Sequence, residues 1–141
     1  MSMSVRQPPV IQAPLIDRLT VRHQFLHVAQ GRKASGRFVL LQANHPADVS
    51  GQSRSRIRFG LTASKKVGNA VTRNRARRRL RAAMLSLLPL HGRPGMDYVA
   101  VARTASVTAD WTALLDELTA LFLRLSSKSA HPTEPSPNAQ A

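Results

Sequence analysis

The stretch Lys65–Arg81, KKVGNAVTRNRARRRLR, holds eight bases and no acid. Guanidinium groups are planar, bidentate donors suited to phosphate oxygens. Gly68 and Asn69 read as a sharp turn and an N-cap, so a helix starts here. Backbone N–H groups at a helix start form a ready phosphate site. Yet Lys65, Lys66, Arg73 and Arg75 crowd the positive end of the helix dipole, where cations are unfavourable. The pairs Arg73–Arg77 and Arg75–Arg79 are like charges four residues apart, which repel. Both costs are lifted if an anion occupies this site in the working state, so the pattern predicts a phosphate-binding surface.

A helical wheel divides the stretch and its continuation. Ala76, Leu80, Ala83, Met84 and Leu87 share one face. Asn74, Arg75, Arg78, Arg79 and Arg81 lie around the other side. Arg73 and Arg77 fall nearer the apolar edge, where long stems can reach outward. The charge around this helix is concentrated rather than spread. The chain of 141 residues has a formal net charge of +14, yet no Asp or Glu occurs from Val49 to Met96. Such an imbalance favours association with a polyanion.

Catalysis by the polypeptide itself finds little support. There is no cysteine, which excludes disulfides, thiolate metal sites and a cysteine nucleophile. Two-metal hydrolysis needs clustered carboxylates, and Asp48 and Asp97 merely flank the acid-free block. His23 and His27 are four residues apart and read as a surface pair rather than metal ligands. The expectation is no catalytic residue and no protein-held metal. No apolar run approaches membrane-spanning length, so no membrane partner is expected and the cytoplasm is the default location.

The remaining elements must present this helix. Residues 1–14 read as a flexible N-terminal segment, 15–125 as an RNA-binding domain, and 126–141 as a disordered, Pro-rich tail. A first helix is predicted over Ile16–Gln30, followed by a basic turn, Gly31–Gly36. Arg37–Ala43 reads as a buried strand and Asn44–Ser55 as a loop. Arg56–Ala63 alternates: Ile57, Phe59 and Leu61 face one way, while Arg56, Arg58, Gly60 and Thr62 face the other. The second side is expected to be flat and positive, with Gly60 allowing close approach. The basic helix then runs to about Leu88, and HGRPG breaks it. Asp97–Arg103 is the third strand. The last helix, about Ala109–Leu125, carries the strongest periodicity and has Asp110 in its first turn. The class is α+β, a small two-layer α/β sandwich in the order α-β-β-α-β-α with a β-α-β crossover.

Ser64–Arg81, SKKVGNAVTRNRARRRLR, resembles the signature of the bacterial ribonuclease P protein subunit in its lysine pair, its Gly-Asn and its Arg73-Asn74-Arg75 triplet. The element order is similar to that family across about residues 15–125. The resemblance implies a left-handed crossover and a monomeric protein in a 1:1 ribonucleoprotein with a catalytic RNA. That complex removes the 5′ leader of precursor tRNA by Mg2+-dependent hydrolysis, with the metal and active site held mainly by the RNA. Carried over, the RNA-facing set is Lys65, Lys66, Asn69, Arg73, Asn74, Arg75, Arg78 and Arg81. The leader-facing set is Phe25, Phe38 and Arg58. Two positions depart from the family: Ala29 stands where a second aromatic one turn after Phe25 is typical, and Leu41 occupies a strand position often aromatic. Base stacking contributes about 1–3 kcal/mol per base, so leader binding here is expected to lean more on charge. The reading from a different class is a basic structural RNA-binding protein, such as a ribosomal component.

Overall fold

The computed structural model describes residues 15–46 and 56–130. The expectations for residues 1–14, for most of the loop 44–55 and for 131–141 lie outside the described residues. Among the described residues five strands, β1 (Leu15–Arg18), β2 (Arg32–Ser35), β3 (Val39–Asn44), β4 (Arg56–Thr62) and β5 (Asp97–Ala102), form one sheet in the order β1-β4-β5-β3-β2. Three helices accompany them: α1 (Arg22–Ala29), α2 (Ala70–His91) and α3 (Trp111–Ala130). The three expected strands are β3, β4 and β5, with β5 between an antiparallel β3 and a parallel β4. The β4–α2–β5 connection is the crossover that places the basic helix.

Several boundaries differ from expectation. Residues 15–18 are not helical; they pair in parallel with β4, Ile16 opposite Ile57. Apolar spacing in Ile16–Leu19 fits a short edge strand as well as a helical turn, and pairing decides between them. Gly31–Gly36 is mostly strand rather than turn, because Arg32–Ser35 pairs antiparallel with β3. The basic helix continues past Leu88 through Pro89 to His91, since a proline in the last turn removes only one ladder bond. Asp110 lies just before α3 and caps it, its Oδ2 accepting from Ala113 N at 3.2 Å. The helix then runs to Ala130, so residues 126–130 belong to it rather than to a tail.

Strand alternation separates two cores. Val39, Leu41, Ala43, Ile57, Phe59, Tyr98, Ala100 and Ala102 face α2 and α3. Against them α2 buries Ala76, Leu80, Ala83, Met84, Leu87 and Leu88, the predicted stripe extended by one residue. Each fully buried leucine here contributes about 2–3 kcal/mol. From α3 come Leu114, Leu118, Leu121, Phe122 and Leu125. On the opposite face, Leu19, Val28 and Val99 form a smaller cluster with Phe25 and Val101. Thus α1 uses the Phe25–Val28 side, while Val21 and Leu26 are exposed. Burial raises the Tyr98 phenol above its ordinary range, against a weaker opposing effect of the hydrogen bond from Arg93 N.

Candidate RNA-binding surface

The start of the basic helix is built in three steps. Lys65–Val67 forms a short 3-10 turn, capped by Ser64, whose Oγ accepts from Lys66 N at 3.3 Å. Gly68 follows at φ +148°, a conformation that side chains disfavour. Asn69 then caps α2, its Oδ1 accepting from Thr72 N at 2.9 Å. The cap satisfies one of the N–H groups that a helix start leaves without intrahelical partners; those of Ala70 and Val71 are likewise unserved by the helix itself. No acid stands in the first turn. Lys65 and Lys66 are exposed beside it, so backbone donors and ammonium groups share one end.

Along α2, Asn74, Arg75 and Arg78 are exposed, while Arg73, Arg77 and Arg81 are half-buried. The Nε atoms of Arg73 and Arg81 are buried without a hydrogen-bond partner, so their stems lie against the protein. Among the described residues the ion pairs are Arg56–Asp17 and Arg58–Asp97, and neither involves this helix. The structure therefore brings the eight RNA-facing candidates, from Lys65 to Arg81, onto one continuous helix and its entry turn.

Arg79 departs from the wheel. Its guanidinium donates to the carbonyls of Ser106 at 2.7 Å, Val107 at 3.1 Å and Ala109 at 2.5 Å. It also lies 5.9 Å from the centroid of the Trp111 ring. A wheel assigns direction but cannot see that the chain after β5 returns to offer carbonyls. Arg79 fastens that segment to α2 and is removed from the phosphate face.

Of the leader-facing candidates, Phe38 stands apart from Phe25 and Arg58. Phe25 is half-buried on the α1 side of the sheet, and its ring occupies the space above Gly60. A Cβ at Gly60 would run into Phe25 Cε2. The close approach anticipated at Gly60 is therefore that of an aromatic ring of the protein itself. Phe38 packs instead against the larger core, with the Arg37 guanidinium 5.7 Å from its ring centroid. Leu41 is wholly buried on the α2–α3 side, so an aromatic there would not reach the α1 face.

The expected flat positive face of β4 is also corrected. Arg56 meets Asp17 at 2.6 Å. Arg58 makes a fork with Asp97, Nε to Oδ1 at 2.9 Å and Nη2 to Oδ2 at 2.8 Å. Asp97 opens β5 directly opposite Arg58 in the parallel register, a neighbour that linear spacing does not reveal. Asp97 is thus occupied by an arginine rather than poised for a metal.

His27 Nε2 lies 2.9 Å from the His45 carbonyl oxygen, so that ring nitrogen serves as a structural donor. Among the described residues no group of three His, Cys, Asp or Glu side chains could hold a metal.

Glu117 is a residue that sequence reasoning overlooked. Its carboxylate accepts from the backbone N–H groups of Arg37, Phe38 and Val39 at 2.8, 2.7 and 3.0 Å. It therefore fixes the β2–β3 turn to α3. A signal existed: Glu117 sits three residues after Leu114 and four before Leu121, at the margin of the apolar stripe.

The sequence model of a family described as Ribonuclease P matches residues 14–126. The chain is 42% identical over 114 residues to a ribonuclease P protein component of Paramagnetospirillum magneticum, covering 80% of this chain and 85% of that one. It is 40% identical over 111 residues to that of Caulobacter vibrioides, covering 79% and 72%. In fold it is similar to the RNase P protein of Staphylococcus aureus, with a TM-score of 0.60 at 21% identity over 77% of this chain and 94% of that one. The Thermotoga maritima protein gives 0.61 at 21% identity, covering 76% and 96%.

Proposed function

The chain belongs to the ribonuclease P protein family, and from that premise we propose how its surfaces divide the work. The family is the protein subunit of a ribonucleoprotein endonuclease of tRNA 5′ processing, and this chain is a non-catalytic subunit with an RNA partner. In our reading, Lys65, Lys66, Asn69, Arg73, Asn74, Arg75, Arg78 and Arg81 hold the phosphate backbone of the catalytic RNA. The observation that carries this is the acid-free start of α2, where Lys65 and Lys66 are exposed and the arginines have no carboxylate partner among the described residues.

The substrate is precursor tRNA, whose 5′ leader lies along the α1 face of the sheet near Phe25. Arg58 belongs to the same face, its guanidinium already held by Asp97. Phe38 serves at the β2–β3 turn, packed against the larger core. The metal of the reaction, in our reading Mg2+, is assigned to the RNA, because the acid-free block from Val49 to Met96 offers no carboxylate beside the basic helix. The protein is a monomer in a 1:1 complex, with residues 15–125 as the RNA-binding domain. Among the described residues no helix is long and apolar enough to cross a membrane; we place the complex in the cytoplasm.

Leader binding is tested by an affinity series. Holoenzyme reconstituted with its cognate RNA is titrated with precursor tRNA carrying leaders of increasing length, at low and high salt. Among the described residues Phe25 is the Phe, Tyr or Trp side chain that α1 sets against the sheet, so the gain per added nucleotide is expected to shrink as salt rises. A length dependence that stays steep at high salt would mean that stacking, not charge, holds the leader.

A further inference from the structure

Asn74 stands on the exposed face of α2, among bases on either side. Asparagine is a poor residue for a helix interior, because its side chain competes for backbone groups. Here the side chain is committed elsewhere: Asn74 Oδ1 accepts from Arg77 Nη2 at 2.8 Å. A guanidinium has donors and no acceptor, so only the amide oxygen can face it. The orientation of the amide follows from that chemistry alone. The oxygen is turned towards Arg77, and the NH2 group is turned away from it.

Arg77 has reason to stay there. Its helix neighbours four residues away, Arg73 and Arg81, are cations, and among the described residues it has no carboxylate partner. The Asn74 oxygen is the acceptor that holds it. A half-buried stem limits the alternatives open to its guanidinium.

We infer that Arg77 is a positioning residue. It locks the Asn74 amide so that Nδ2 presents its donors to an acceptor oxygen on the backbone of the RNA partner. The inference rests on the assignment of this helix face to the RNA. It adds to that assignment a neutral, oriented contact within a field of charges. Charges attract any phosphate, whereas a fixed amide accepts only a backbone that lies in one register.

The test is a double-mutant cycle on the full chain, with Asn74→Ala, Arg77→Met and the pair, binding the cognate ribonuclease P RNA transcribed in vitro. Asn74→Ala is expected to weaken binding about fivefold, the size of one hydrogen bond. Arg77→Met should cost about fivefold less in the Asn74→Ala background than in the wild type. That coupling should persist as salt is raised, because the contact is neutral. Arg77→Lys, which keeps a charge and a donor, should retain most of it.

Equal costs of Arg77→Met in both backgrounds would overturn the inference, as would an Asn74→Ala variant that binds normally. In either case the reading of the surface survives if substituting Arg73, Arg75 and Arg78 still weakens binding, and falls if it does not. Both side chains lie outside the core, so the variants should fold. A purely structural pair would instead show as a lowered melting temperature with additive binding.

Discussion

Replacing Arg73, Arg75 and Arg78 together by alanine is expected to weaken binding to the RNA partner about a hundredfold at moderate salt, at about 1 kcal/mol per lost contact. The slope of log affinity against log salt should flatten by about 2 to 3 units, at about 0.7–0.9 per phosphate contact. The physical reason is local. These arginines have no carboxylate partner among the described residues, so no described carboxylate competes with a phosphate for them. The fold should not suffer. Alanine is the better helix former, and the substitutions relieve repulsion between like charges near the positive end of a helix dipole. A melting temperature at or above that of the parent chain is the expected control. Filter binding over a salt series reads both quantities. An unchanged slope would show that the helix does not touch phosphate.

The second large effect is on stability. Asp97→Ala should destabilise the fold by about 3 kcal/mol, seen as a lowered urea midpoint without a change in slope. Asp97 is 3% exposed at its side chain and Arg58 is 19% exposed, so their fork is largely removed from water. Losing the acid removes both bonds of this fork, which ties β4 to β5 at the start of their parallel pairing. The cost is placed at the low end for buried pairs because Arg58 can turn partly towards solvent. Asp97→Asn, which keeps shape but not charge, should fall between the parent chain and Asp97→Ala. A loss below about 1 kcal/mol would mean that the fork contributes no more than a surface pair.

The arginine helix is legible in the sequence because its signals are local. A cap, a positive-φ glycine and a missing acid are all properties of adjacent residues, and Asn69, Gly68 and the Ala76–Leu87 stripe appear where spacing puts them. The elements that escape such reading depend on partners distant in sequence. Leu15–Arg18 and Arg32–Ser35 become strands because β4 and β3 offer edges to pair with, a fact that no window of a few residues contains. Arg79 reads as one more exposed arginine until Ser106, Val107 and Ala109 turn their carbonyls towards it. Arg58 reads as part of an open positive face until the parallel register sets Asp97 beside it. The leader face is the least legible part, because it depends on which side of the sheet Phe38 and Leu41 occupy. Alternation counted from β3 gives the direction of Leu41, but nothing in the sequence says that α1 covers the other face.

The division of labour between a protein that holds RNA and an RNA that cuts is tested most directly by cleavage of precursor tRNA at low Mg2+. The cognate RNA would be used with and without the full chain, and the chain alone. The expected result is little cleavage by either component alone and 5′ leader removal when they are combined. Failure of the protein to stimulate its cognate RNA, or cleavage by the protein alone, would contradict it.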